Sequence, residues 1–334
     1  MKRIILFDTS IATQNKGDEI IMESVKREIR PICEGNFVHH FPTHTVAFPV
    51  GHQMTSSKAK LCRVANYKFI CGTNLFWTNM IHPNPLLNTN IFNCKPLQGS
   101  VLLGVGYDEE QCKGHFDAYS KAVWKKVLSK DYVHSVRDDQ MVEYLAELGI
   151  KGINTGCPTL WKLTPEHCAQ IPTKKADKVV FTLSSTGGVH KENDQALIDM
   201  LLDNYKEVYF YSQTYGGYVA FKSYNNADKI KVLEPDLEQY RLFLQNNDVD
   251  YVGTRLHGGV YAMQQKRRAI ILSVDNRAKE FDKYHINCMD QFDIQGIKEK
   301  INSDFATNVT IDYDVVHKWM NQFLPKDKKF EISK

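Results

Sequence analysis

Short, almost wholly apolar runs recur through this 334-residue chain, most of them followed by an amphipathic stretch, and that rhythm leaves few folds open. RIILFD (3–8) reads as a strand and GDEIIMESVKREI (17–29) as a helix, with Ile20, Ile21, Ser24, Val25 and Ile29 near one face. NFVHHF (36–41), YKFICG (67–72), SVLLGVG (100–106), YVHSV (132–136) and KGINTG (151–156) read as further strands, with helices over 117–129 and 138–148. Runs apolar on both faces belong in a parallel sheet covered by helices.

The stretch 157–177 breaks the rhythm. It carries Pro158, Pro165 and Pro172 and no clear period, and reads as a linker between domains. The alternation then restarts with strands over 178–184, 207–212, 229–233, 249–255 and 267–274 and helices over 193–204, 236–246 and 257–265. The expectation is an α/β chain of two Rossmann-like, doubly wound parallel-sheet domains. They face a cleft at their carboxyl strand ends, where ligands bind in such sheets. A tail helix over 313–324 returns to brace the first half. The domains are drawn at 1–160 and 175–334.

The charge balance narrows the partners. Forty-two basic and 39 acidic residues leave a net +3, and the lysine clusters KKADK (174–178) and KDKK (326–329) are short. Both read as solvated linker and tail, and no nucleic-acid partner is expected. The eight cysteines are scattered, with no CxxC pair, which reads as reduced thiols rather than a zinc site or disulfide framework. MKRIILFDTS has too short an apolar run for a signal peptide, and no stretch approaches a membrane span. The expected location is cytoplasmic, at most peripheral to the inner face of the membrane.

Several strand ends carry residues suited to chemistry. No Walker loop is present, and Gly104-Val105-Gly106 lacks the third glycine of a dinucleotide fingerprint. Asn15-Lys16-Gly17-Asp18 leads from the first strand into a helix. It reads either as an anion site at free N–H groups or as a plain helix start with Asn15 as cap. Gly72 with Asn74, and Gly104 with Gly106, sit at strand ends where a ligand approaches or a chain turns tightly. Arg137 begins a helix, offering its planar fork to an anion or pairing with Asp138 or Asp139.

The sharpest segment is Arg255-Leu256-His257-Gly258-Gly259. A strand delivers a cation and an imidazole to a helix start, and glycines give access to its backbone. Arg277, after the next strand, adds a third arginine. His39, His40, His44 and His52 surround a proline-bearing loop. Adjacent histidines on a strand point to opposite faces, so no metal is expected there. Ser184-Ser185-Thr186-Gly187-Gly188 reads equally as cleft lining or as a turn.

Taken together and in order, the N-x-G-D turn (Asn15, Gly17, Asp18), Gly72, the G-x-G turn (Gly104, Gly106), the VRD step (Val136, Arg137, Asp138) and the R-L-H segment (Arg255, Leu256, His257) resemble the polysaccharide pyruvyltransferase family over roughly residues 4–285. The departures are Gly72-Thr73-Asn74 in place of a glycine-rich run, Cys157 in place of an aspartate, and Arg277 in place of a lysine. The resemblance implies a GT-B-type fold and transfer of pyruvyl from phosphoenolpyruvate to a sugar, free or lipid-linked, as a cyclic ketal. It implies the acceptor on the first domain and the donor on the second, with Arg137, Arg255, Leu256 and Arg277 on the donor. His257 and Asp18 would be catalytic, and Asn15, Gly17, Gly72, Asn74, Gly104, Gly106 and Gly258 would line the cleft. No cofactor or metal is called for. A nucleotide-sugar glycosyltransferase and a non-catalytic polysaccharide-binding protein are the alternatives.

Overall fold

The computed structural model describes residues 1–325 apart from 53–54, 82–86, 108–111, 113, 185–189 and 274–282. Two compact units emerge. The first comprises Met1–Thr13, Ile21–Trp161 and the segment from Asp312 on; the second comprises Gln14–Ile20 and Lys162–Ile311.

Six strands build the first unit: β1 (Arg3–Asp8), β2 (Phe37–Pro42), β3 (Tyr67–Phe76), β4 (Val101–Tyr107), β5 (His134–Val136) and β6 (Gly152–Asn154). They lie in the order β2-β1-β3-β4-β5-β6, which puts the reversal of strand order between β1 and β3. Ile5, Phe7, Ile70, Leu102 and Val105 are buried on one face, where Phe76 stacks on Trp124 at 4.5 Å. From Ile21 on, the helix Lys16–Glu28 belongs to this unit, and Ile21, Val25 and neighbouring Ile29 are buried at 1% exposure or less, as the 3.6-residue spacing requires.

The helix Tyr313–Met320 belongs to this unit as well. Its Trp319 indole donates to the Val133 carbonyl (2.8 Å), and beyond it Phe323 meets Phe69 edge-on at 5.0 Å. The VHKW spacing of that helix supplies an apolar stripe, and the aromatic floor of the sheet receives it.

The second unit repeats the plan with β7 (Lys178–Thr182), β8 (Glu207–Phe210), β9 (Lys231–Val232), β10 (Asp250–Gly253), β11 (Ala269–Ser273) and β12 (Cys288–Asp290). The order β12-β11-β10-β7-β8-β9 is the Rossmann order 3-2-1-4-5-6 with β7 as its first strand. Its switch point therefore falls between β7 and β10. Every strand pairing among the described residues is parallel. Val179, Phe181, Phe210, Val252 and Ile270 form the core, with Phe210 stacked on Phe221 at 4.0 Å.

The stretch 157–177, expected as the linker, contains the boundary between the units, at Trp161, and it is a packed segment. Leu160, Trp161 and Leu163 are fully buried, and the Trp161 indole donates to the Thr155 carbonyl at 2.8 Å. Pro158 opens a short 3-10 turn, and Thr164 caps a one-turn helix that starts at Pro165. The prolines punctuate turns that bury the intervening apolar residues, so no period survives to be read.

Candidate functional site

The second unit holds the R-L-H segment at its switch point. Strand β10 ends at Gly253, and the helix Leu256–Gln264 starts three residues later with Arg255 at its N-cap position. A closed loop of hydrogen bonds fixes the Arg255 backbone. Its N–H donates to the Thr182 hydroxyl (3.2 Å), and the Tyr251 phenol donates back to the Arg255 carbonyl (2.6 Å). Thr182 and Tyr251 lie 2.6 Å apart, so the Thr182 hydroxyl proton is left to close the ring onto the phenol oxygen. Such rings polarise one another and hold their members rigid. The Arg255 Nε–H donates to the Leu183 carbonyl at 3.2 Å, which aims the guanidinium along the end of β7.

Arg255, Leu256 and His257 are half-buried, and Gly258 and Gly259 behind them are buried. Gly258 leaves room for its neighbours: a Cβ there would lie 2.7 Å from the Gln213 amide nitrogen and 3.1 Å from the Tyr251 phenol. The helix start thus offers a guanidinium, an imidazole and backbone N–H groups with no side-chain cap. That combination suits a small, multiply charged anion.

Asn15, Gly17 and Asp18 belong to this same unit, although β1 before them does not. The Lys16 N–H donates to the Gln213 carbonyl (2.9 Å), hooking the turn onto the chain past β8. Asn15 shapes the turn with its side chain, accepting from the Gly17 N–H at 3.1 Å, and Asp18 follows it at 4% exposure. The sequence left cap and anion site open; the structure shows an Asn-stabilised helix start whose neighbour is the chain beside the R-L-H helix.

The remaining candidates lie on the first unit. Arg137 donates through Nη2 to the Asn74 side-chain oxygen. Gly106 makes room for both, since a Cβ there would collide with the guanidinium and lie 2.9 Å from Asn74 Oδ1. Asp138 caps the helix Asp139–Glu147 through the Met141 N–H, and Asp139 accepts from Asn154 at 2.7 Å. Asn74, Gly106 and Arg137 therefore form one group at the carboxyl ends of β3, β4 and β5. Ile21 occupies the space before Gly72, and Pro158 that before Gly104. Thr73 stands at φ +86°, a conformation suited to glycine and held here by a β-branched residue. Such strain costs on the order of 1–3 kcal/mol and persists only where the surroundings enforce it. Arg277 and residues 185–188 of the Ser184 loop lie outside the described residues.

Of the histidines, His40 sits with Asp8 and His44 with Thr9. Asp8 Oδ2 is 2.7 Å from His40 Nδ1 and 3.3 Å from Lys26 Nζ, while Oδ1 accepts from the Ser10 N–H and hydroxyl. Burial alone would raise the Asp8 pKa, but His40, Ser10 and Lys26 together bring it from 3.8 to about 2. A carboxylate held below its unfolded value contributes stability above that value and loses it as pH falls through the folded one. Chemical unfolding followed from about pH 5 to about pH 2 should therefore show wild type losing roughly 2 kcal/mol more than Asp8→Asn. Equal losses would remove Asp8 as an acid-sensitive anchor. Among the described residues no cluster of three metal-ligating side chains occurs, and no helix is long and apolar enough to cross a membrane.

Comparison with known proteins agrees with the fold and narrows the chemistry. A family model described as polysaccharide pyruvyl transferase matches residues 15–276. No curated protein matches the chain. Seven chains of solved structures do, among them an S. aureus MnaA–UDP co-structure at 13% identity and TM-score 0.52, covering 96% of this chain and 91% of that one. At that identity the likeness shows fold alone, and it bears out the two-domain α/β expectation.

Proposed function

The chain belongs to the polysaccharide pyruvyl transferase family, and from that premise we propose that it moves the pyruvyl group of phosphoenolpyruvate onto a sugar of a surface polysaccharide or its lipid-linked precursor. The observation that carries this reading is the R-L-H helix start at the Rossmann switch point, with Arg255 locked by the Thr182–Tyr251 ring. Phosphoenolpyruvate carries about three negative charges near neutral pH, and a guanidinium fork beside uncapped helix N–H groups matches its carboxylate and phosphate.

The chemistry follows from that placement. His257, one residue past Leu256, delivers a proton to the methylene carbon, which leaves C2 electron-deficient. An acceptor hydroxyl attacks C2 and gives up its proton, for which Asp18 is the assigned base. The adduct then loses phosphate as a neighbouring hydroxyl closes the ketal, and the second hydroxyl proton leaves with the phosphate. Two protons leave the diol, one for carbon and one for phosphate, so the step balances without a redox partner. Arg137 and Arg277 are proposed as further donor contacts, and the acceptor is assigned to the first unit.

Acceptor-dependent phosphate release from phosphoenolpyruvate, with a panel of free and lipid-linked glycosides, tests the reading. Turnover of a nucleotide sugar instead would make the protein a glycosyltransferase, and glycoside binding without phosphate release would make it a binding protein. Arg255→Ala should weaken phosphoenolpyruvate binding at least thirtyfold, because truncating a charge-assisted contact to a buried anion costs about 2–5 kcal/mol. Arg255→Lys should recover little, since an ammonium does not reproduce the fork. Unchanged donor affinity in both variants would take Arg255 out of the site.

A further inference from the structure

Tyr211 and Gln213 follow directly on the end of β8 at Phe210. Both are buried, at 0% and 4% exposure, yet the Tyr211 hydroxyl and the Gln213 Nε2 amide find no hydrogen-bond partner. Leaving a buried polar group unmade is costly, and an orphan of this kind calls for a reason. The backbone here is well held: the Gln213 carbonyl takes the Lys16 N–H, Ser212 donates to the Thr214 carbonyl (2.7 Å), and Thr214 caps the helix Tyr215–Phe221.

The two orphans differ in their surroundings. The Tyr211 ring stacks on Tyr240 at 3.9 Å, and its phenol feels the negative charges of Glu19 and Asp236, which would repel an anion. Gln213 Nε2 instead lies against Gly258, in the first turn of the helix whose N-terminus has no side-chain cap. An amide nitrogen only donates, so the partner it lacks is an acceptor.

We propose that Gln213 is a donor-binding residue whose side-chain amide holds an oxygen of the phosphate group of phosphoenolpyruvate at the start of the helix Leu256–Gln264. The proposal rests on the functional reading above and adds to it a residue that carries no charge and lies outside the R-L-H segment. It also explains Gly258, whose missing side chain is what admits the amide to the helix start. Because the Gln213 carbonyl is bonded to Lys16, the same residue ties the Asn15–Asp18 turn to the donor phosphate.

The test uses the full chain, with inorganic phosphate and phosphoenolpyruvate as probes, in Gln213→Met and the isosteric Gln213→Glu. Met removes a buried orphan, so the ligand-free Tm should equal or exceed that of the wild type. Affinity for both probes should nonetheless fall about ten- to hundredfold, the size expected of a hydrogen bond to a charged group. Glu should bind still more weakly, because its carboxylate repels the anion. Wild type that binds phosphate but not phosphoenolpyruvate, with phosphate lost in both variants, would keep Gln213 as a phosphate contact and sink the pyruvyl reading. Unchanged affinity for both probes in Gln213→Met would overturn the inference and leave that reading standing. Wild type binding neither probe would overturn both.

Discussion

His257→Gln is expected to fold as the wild type does and to lose at least 100-fold in turnover, since a positioned general acid contributes about 100- to 10,000-fold. The imidazole stands at the second position of the helix Leu256–Gln264, half-buried beside Arg255, on a backbone that the Thr182–Tyr251 ring holds in place. Gln keeps a hydrogen-bond donor and roughly the same reach, but it transfers no proton. The substitution therefore separates acid catalysis from contact. Phosphoenolpyruvate affinity should change by only a few fold while the rate collapses, and His257→Ala should lose the rate to a similar extent. If the Gln variant turned over at near wild-type speed, His257 would be a binding residue and the acid would have to be sought first at Asp18. The pattern expected for an interaction made only in the transition state is a fall in kcat with little change in KM.

Much of this architecture was open to inspection in the chain itself. Buried parallel strands such as RIILFD and KVVFT advertise themselves because both faces are covered, leaving no polar residue to interrupt the run. Strand β12 does not, since Cys288-Met289-Asp290 is an edge of three partly exposed residues. The helix Tyr215–Phe221 hides behind two glycines, and only the Thr214 cap marks its start. The packed stretch after β6 shows no period in the sequence because its burial follows turns rather than a helix or strand.

The site divides along similar lines. Charged residues at strand ends are visible in one dimension, because strand and helix rhythm already says where they will be presented. The placement of Arg255 and His257 just past a strand end is legible for that reason. The proposed contact Gln213 is not: an amide after a strand has no signature, and what singles it out is burial without a partner. Equally, nothing in the order of residues says that Asn15–Asp18 belongs with the second unit, where the Lys16 N–H donates to the Gln213 carbonyl. The ring through Thr182, Tyr251 and Arg255 joins residues far apart in the chain, and only the pairing of β7 with β10 brings them together.

Arg268→Ala should be the most destabilising single change in the second unit, by about 3–5 kcal/mol in urea unfolding, because it leaves a buried carboxylate without its cation. Arg268 is 2% exposed, and its Nη1 lies 2.6 Å from Asp250 Oδ2. Its Nη2 donates to the carbonyls of Ile301 (2.8 Å) and Ser303 (2.9 Å), closing the end of the helix Ile294–Ile301, and its guanidinium covers the Phe305 ring. Asp250 also accepts from the Tyr205 phenol at 2.8 Å. One side chain thus joins the foot of β10, the foot of β11 and the closing helix. Removing both charges together, in Arg268→Met with Asp250→Leu, should recover part of the loss but not all of it, since the freed carbonyls still lack their donor. The consequence extends to the site. Asp250 opens the four-residue strand that ends two residues before Arg255, so a loosened foot shifts the register that the Thr182–Tyr251 ring depends on. Donor affinity in Arg268→Ala should therefore fall along with stability, although it is the Arg268 backbone and not its side chain that meets the ring, its carbonyl accepting from the Tyr251 N–H at 2.8 Å. A loss below about 1 kcal/mol would mean that this ion pair does not anchor the unit.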